Sequence, residues 1–177
     1  MTEPLVELER KLGEGTLLDS FAVADQYLRQ FDQSARIAIC VMFFYLNVLL
    51  YAQYSNDDEY FQTEERLRNV YNASNIRFGD IPEYLFFAGY LSAVSYWLFG
   101  EDSAEPSRNK VGRALKLRPF NVVYKWAADF MITNIDHSSI AQRVIENPDI
   151  IQWLRSFGAA GEYIIGIISE DRTSVQS

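Results

Sequence analysis

One stretch in the first third of the chain carries no charge. The twenty residues 37–56, IAICVMFFYLNVLLYAQYSN, lie between Arg36 and the acidic run 57–59. A helix that is apolar on every side is buried on every side, inside either a helical domain or a membrane. The polar Asn47 and Gln53, and acids where a membrane span would carry basic residues, favour a central core helix that begins near residue 34.

The other apolar positions recur at helical spacing between capping signals. Predicted helices begin near residues 16, 34, 56, 80, 103, 121, 139 and 147. The clearest start is Asp80-Ile81-Pro82-Glu83, which combines an N-cap acid, an early proline and a capping-box glutamate. No segment shows sustained alternation of apolar and polar residues, so the sequence predicts an all-α fold of about eight helices.

A chain of 177 residues is long enough for one domain with a sizeable core. We expect an N-terminal segment over residues 1–15, a single all-helical domain over 16–168, and a disordered polar tail over 169–177. The predicted helices also fall into pairs. Long apolar helices near 34, 80 and 121 each precede a more polar one, at spacings of 46 and 41 residues. This spacing is typical of stacked antiparallel helical hairpins, in a repeat or an irregular bundle.

The segment Ala114-Leu115-Lys116-Leu117-Arg118-Pro119 resembles the end of a tetratricopeptide repeat, in which an A-L-x-L-x-P pattern closes the second helix. Asn121, Tyr124 and Trp126 lie roughly where the next repeat carries its aromatic positions. The resemblance covers about a dozen residues. It implies a stack of helical hairpins that binds peptides or protein partners on a concave face.

The net charge of the chain argues against one class of binding partner. With 16 basic and 24 acidic residues the formal charge is −8, which argues against nonspecific nucleic-acid binding by the whole surface. The single Cys40 lies in the apolar stretch, so we expect a buried, inert thiol. The first fifteen residues lack the pattern of a signal peptide, which predicts a cytoplasmic protein.

Three groups of residues are candidates for catalysis or ligand binding. The acids at 57–59 occupy the first turn of a predicted helix, where consecutive carboxylates do not converge on one metal ion. Asp136 and His137 lie in a loop between two predicted helices, which favours a turn with a capping role over a catalytic pair. The glycines form no phosphate-binding loop. We therefore predict no catalytic residues, no metal site and no cofactor, and a protein that is not an enzyme.

Basic residues cluster between Pro106 and Ala128, a range with no acidic residue. Their functional interpretation is a docking patch for an acidic peptide, phosphate groups or nucleic acid, and their simpler interpretation is a solvated helix face. The predicted partner-binding residues are Arg108, Lys110, Arg113, Lys116 and Lys125.

The sequence therefore favours a non-enzymatic adaptor, chaperone or scaffold that binds another polypeptide. One alternative is an acidic inhibitor or immunity-type protein that blocks a basic enzyme by charge complementarity. Another is a small membrane protein built on residues 37–54 and 84–99. The first hypothesis expects a protein or peptide partner, with neither a nucleic-acid nor a membrane partner, and leaves homo-oligomerisation open.

Overall fold

The chain is folded into helices. The computed structural model describes residues 3–14, 16–52, 54, 57–133 and 137–173. These residues contain no strand, a 3₁₀-helix at Tyr96–Phe99 and a π-helix at Asp129–Thr133. Their ten α-helices are α1 (Glu3–Leu12), α2 (Leu17–Gln30), α3 (Ala35–Tyr51), α4 (Asp57–Phe78), α5 (Pro82–Val94), α6 (Glu105–Leu117), α7 (Val122–Ala128), α8 (Ser138–Ile145), α9 (Pro148–Arg155) and α10 (Ala159–Thr173).

The all-α class is confirmed, but the described residues hold ten α-helices rather than about eight. One additional helix is α1, which buries Leu5, Leu8 and Leu12 at steps of three and four residues within the region expected as a separate segment. The other arises because Gly158, at a φ of 62°, divides the last predicted helix into α9 and α10. A left-handed residue at that point ends one helix and redirects the chain.

Helix α3 is the centre of the fold, as the uncharged stretch predicts. Its packing partners include α1, α2, α4, α5 and α10. It begins after Ser34, whose hydroxyl accepts a hydrogen bond from the Ile37 amide at 3.4 Å. Among the described residues, no helix combines the length and the apolar character that crossing a bilayer requires.

Local capping signals predict several helix starts correctly. Thr16 and Asp19 form a reciprocal capping box at α2, and the side chains of Asn121 and Asn147 cap α7 and α9. The strongest predicted start behaves differently, because α5 has Ile81 at its N-cap and no side-chain cap hydrogen bond. The Asp80 carboxylate instead pairs with Arg113 of α6.

The second apolar helix is also interrupted. The helix that the sequence predicts to begin near residue 80 breaks at Ser95, where φ is −149°, and continues as the 3₁₀-helix up to the left-handed Gly100. Arg68 of α4 donates hydrogen bonds to the carbonyls of Trp97 and Leu98 at 3.0 and 3.3 Å. These carbonyls lie in the last turn before Gly100, where a helix leaves acceptors unsatisfied, so the Arg68 guanidinium stabilises this helix end.

Helix α10 continues beyond residue 169, where the polar tail was expected to begin. Asp171 lies near its end and accepts a hydrogen bond from Trp126 Nε1 at 2.9 Å. The same carboxylate lies 2.8 Å from Nε2 of His137. His137 occupies the N-cap position of α8 without a side-chain cap bond, and Asp136, its expected partner in a capping turn, lies outside the described residues, as do 174–177.

Candidate partner-binding surface

The basic residues of α6 do not share one face. Lys110 points inward, and its Nζ lies 3.0 Å from Oε1 of Glu101. The two side chains are only 16 and 10% exposed, and the ammonium also lies over the ring of Tyr71 at 4.9 Å from its centroid. The charge of Lys110 is therefore neutralised within the fold.

Glu101 is the centre of a polar network that joins α4, α5 and α6. Its carboxylate accepts hydrogen bonds from the hydroxyls of Tyr71 and Ser107 as well as from Lys110, and Ser107 lies 2.8 Å from the Ser92 hydroxyl. Burial raises the pKa of Tyr71, and its hydrogen bond to Glu101 raises it further. A network whose polar atoms are satisfied in this way stabilises one arrangement of the three helices.

Close packing of α5 on α6 explains how this network stays buried. A Cβ at residue 89 would lie 2.7 Å from the carbonyl oxygen of Ser107 and 2.9 Å from Cβ of Lys110, so only glycine fits there. Gly89 therefore sets the distance between the two helices at the level of the network.

Arg113 lies on the outside and links two elements. Its guanidinium donates to the carbonyl of Gly79 at 3.0 Å and to the carboxylate of Asp80 at 2.9 Å. Both side chains are largely exposed, so the pair contributes little to stability. It does place the loop before α5 beside the last turns of α6.

The remaining predicted cations are exposed, and they are spread over two regions. Arg108 lines a cavity of about 270 Å³ with Phe130 and Met131. Lys116 lies in the last turn of α6, and Lys125 lies one turn beyond Asn121 in α7. Arg118, between these helices, is exposed as well. Within the described part of the chain, none of these four forms an ion pair.

Three apolar side chains are exposed near this end of α6. Phe120 is 95% exposed, Leu117 50% and Ile81 37%. Leu117 lies one helical turn after Arg113, and Ile81 follows Asp80, so the Arg113 to Asp80 contact brings them to the same end of the α5 and α6 pair.

Two charged side chains near this end of the α5 and α6 pair shift the pKa of the buried Tyr124 hydroxyl. Burial raises the pKa of Tyr124, the negative charge of Glu83 adds to the increase, and the positive charge of Arg118 opposes it. Both charged groups therefore lie close enough to Tyr124 for their fields to reach it.

A groove of about 420 Å³ continues the surface past Phe120. It is lined by Phe120, Asn121, Val122, Val123, Asn147, Asp149, Ile150 and Trp153, so one carboxylate lies among its mainly apolar walls. We call the set Ile81, Leu117, Phe120, Lys116, Arg118 and Lys125 the docking surface. It combines apolar anchors with cations that have no acidic partner among the described residues.

The sequence predicts Lys116 and Lys125 as partner-binding residues but not the exposed apolar side chains beside them. A signal was present for Phe120, because it lies between the helix-ending Pro119 and the capping Asn121, where an apolar side chain has no helix face to bury. Ile81 had no comparable signal.

The remaining candidate sites, the Cys40 thiol and a metal-ligand cluster, show no arrangement that favours a reaction among the residues that the structure describes. Burial raises the pKa of the Cys40 thiol, and the nearby Glu9 carboxylate raises it further, which keeps the thiol protonated. Over the described ranges, no three His, Cys, Asp or Glu side chains gather as a metal site would require.

Comparisons of the chain with protein-family models, with curated proteins and with solved structures give no match. The resemblance to a tetratricopeptide repeat stays a prediction, and functional inference rests on the docking surface itself.

Proposed function

We propose that the protein is a non-enzymatic interaction module, an adaptor, chaperone or scaffold, that binds an acidic segment of a partner polypeptide through the docking surface. One observation carries the proposal. Exposed apolar side chains and exposed cations occur together at one end of the α5 and α6 pair, and no acid of the described residues pairs with these cations.

The apolar part of the surface supplies the anchor. Most phenylalanines of the described chain are buried or partly buried, whereas Phe120 is 95% exposed. Aromatic side chains are enriched at the centre of protein interfaces, where their burial contributes much of the binding free energy. A partner that covers Phe120 and Leu117 would remove this area from water.

The charged part of the surface selects the partner. Lys116, Arg118 and Lys125 are exposed cations in a chain of net charge −8, so the positive potential is local. A complementary segment carries Asp or Glu beside an apolar residue. Electrostatic attraction of this kind accelerates association and weakens as salt is added.

The proposal extends to the architecture. The A-L-x-L-x-P segment that resembles a tetratricopeptide repeat contributes Lys116, Leu117 and Arg118 to the docking surface. We include in the proposal that the helices stack as hairpins that hold this surface in place.

A peptide-display selection tests this function. The full chain is used to select from a random peptide library, and the enriched peptides are then assayed on a Phe120→Ser and Arg118→Glu double variant. We expect enriched peptides to be acidic with an apolar residue, and to lose binding to this variant. The matched control is Phe61→Ser with Arg29→Glu, which changes an exposed aromatic and an exposed arginine on α4 and α2.

Two results would count against the proposal. Peptides that bind the control and the Phe120→Ser and Arg118→Glu variant equally would place binding elsewhere. Enrichment of basic peptides would favour the acidic inhibitor instead, because their binding would follow the net negative charge rather than the local cations.

A further inference from the structure

A second apolar surface lies away from the docking surface. A cavity of about 510 Å³ opens between α1, α3 and the start of α10, which is within the size range of small-molecule sites. Its apolar walls include Leu12, Phe43, Phe44, Val48, Tyr51 and Ala159. None of these residues belongs to the docking surface, so the two can be tested independently.

Among the described residues that line this cavity, Glu9 is the one that carries a carboxylate. Its Oε1 accepts a hydrogen bond from the Ala159 amide, and the Cys40 thiol lies 3.9 Å from the same oxygen. Asn47 donates one N–H of its side-chain amide to the carbonyl of Phe43 at 2.9 Å, which leaves its amide oxygen and its second N–H available. The carboxylate therefore favours a ligand that donates hydrogen bonds.

The charge of Glu9 is not neutralised by the cations around it. Its neighbours in α1 are engaged elsewhere, because Arg10 pairs with Glu14 at 2.7 Å and Lys11 with Glu7 at 2.8 Å. Arg36, one turn before Cys40, lies over the ring of Phe157 at 5.0 Å. Among the described residues, no ion pair includes Glu9.

We propose that this cavity binds a hydrophobic amine. The alkyl or aromatic body of the ligand packs against the apolar walls, and its ammonium donates to the Glu9 carboxylate. Such charge-assisted hydrogen bonds are stronger in an apolar surrounding than in water. A fatty acid would place a second carboxylate against Glu9, and like charges at contact distance repel.

Isothermal titration of the full chain with octylamine, octanol and octanoate tests the assignment. We expect one octylamine per chain, octanol weaker by about tenfold, and octanoate weakest. Glu9→Gln removes the charge but keeps an acceptor for the Ala159 amide, so octylamine should bind it no better than octanol. Glu14→Gln makes the same charge change outside the cavity and should bind as the parent does.

A variant that fills the cavity supplies a second test. A Val48→Trp variant fills the cavity and should abolish binding. If that variant does not fold, the comparison of Glu9→Gln with Glu14→Gln still shows whether octylamine binding needs the Glu9 carboxylate.

Three outcomes would overturn the proposal. The first is an absence of binding by all three probes. The second is equal affinity for octylamine and octanoate. The third is octylamine binding that survives Glu9→Gln unchanged, which would indicate adsorption to the acidic surface of a chain with a net charge of −8.

Discussion

The carboxylate of Glu9 accepts a hydrogen bond of 2.5 Å from the amide of Ala159, 150 residues further along the chain. Ala159 is the first residue of α10, so its amide is one of those that a helix leaves unsatisfied at its N-terminus. A side chain of α1 therefore caps the last helix. This contact joins the two ends of the described chain.

Replacing Glu9 with Ala should destabilise the fold. The amide of Ala159 loses its acceptor and the helix end loses a favourable negative charge, at a cost of about 1 kcal/mol. The change in the free energy of unfolding is measured by denaturant titration. Glu14→Ala, an exposed position on the same segment, should stay within about 0.5 kcal/mol of the parent. Equal effects of the two substitutions would contradict the capping role.

Gly158→Ala should also destabilise, for two reasons. Gly158 has a φ of 62°, which an L side chain rarely adopts, and a Cβ there would collide with the Glu9 carboxylate. We expect a loss of at least about 1 kcal/mol. Gly166→Ala is the matched control, because it lies inside α10 with nothing near its Cβ and should stabilise by about 0.5 to 1 kcal/mol. Similar effects of both glycine substitutions would show that Gly158 is not strained.

Lys110 differs from the exposed cations because it pairs with Glu101 inside the fold. Removing one partner of a buried ion pair leaves the other charge unpaired, so Lys110→Ala should cost about 3 kcal/mol. The exposed pair of Arg155 and Glu162 gives the comparison, and Arg155→Ala should cost less than about 1 kcal/mol. Thermal or denaturant unfolding measures both. If the Lys110→Ala chain were as stable as the parent, the pair with Glu101 would have no structural role, and the prediction of Lys110 as a partner-binding residue would stand.

The buried tyrosines predict the alkaline limit of stability. Burial raises the pKa of Tyr45 to about 12 from an ordinary value of 10. Tyr45 loses its proton at a lower pH in the unfolded state than in the folded state. Its contribution to the free energy of unfolding is therefore complete below pH 10 and falls as the pH rises from 10 to 12. Tyr45→Phe should remove this residue's share of the loss while changing stability at pH 8 by no more than about 1 kcal/mol, since the Arg66 guanidinium lies near the hydroxyl but no hydrogen bond of good geometry reaches it from the described residues. An identical pH dependence in the parent and Tyr45→Phe would refute the assignment.

Local signals in the sequence account for much of the fold. The uncharged stretch at 37–56 predicts the central helix because burial on all sides depends only on composition. Thr16 and Asn121 predict helix starts because a cap bond joins residues two or three apart.

Contacts between distant residues could not be predicted in this way. Asp80 has the sequence of a helix cap, yet its partner is Arg113, and Glu9 caps a helix 150 residues away. These choices depend on which helices pack together. Lys110 is intermediate, because it precedes the buried Val111 and so lies at the edge of the inward face, but nothing local identifies Glu101 as its partner.

The most direct test of the docking surface is peptide affinity as a function of ionic strength. An acidic peptide from the selection is titrated into the parent and into a chain with Lys116, Arg118 and Lys125 changed to Ala, with Arg29→Ala as a control. We expect this triple variant to fold as the parent does, because exposed positions change stability by no more than about 0.5 kcal/mol each. Its affinity should fall about tenfold or more at low salt, with the difference shrinking as salt is added. A triple variant that binds the peptide as the parent does at every ionic strength would contradict the proposed function.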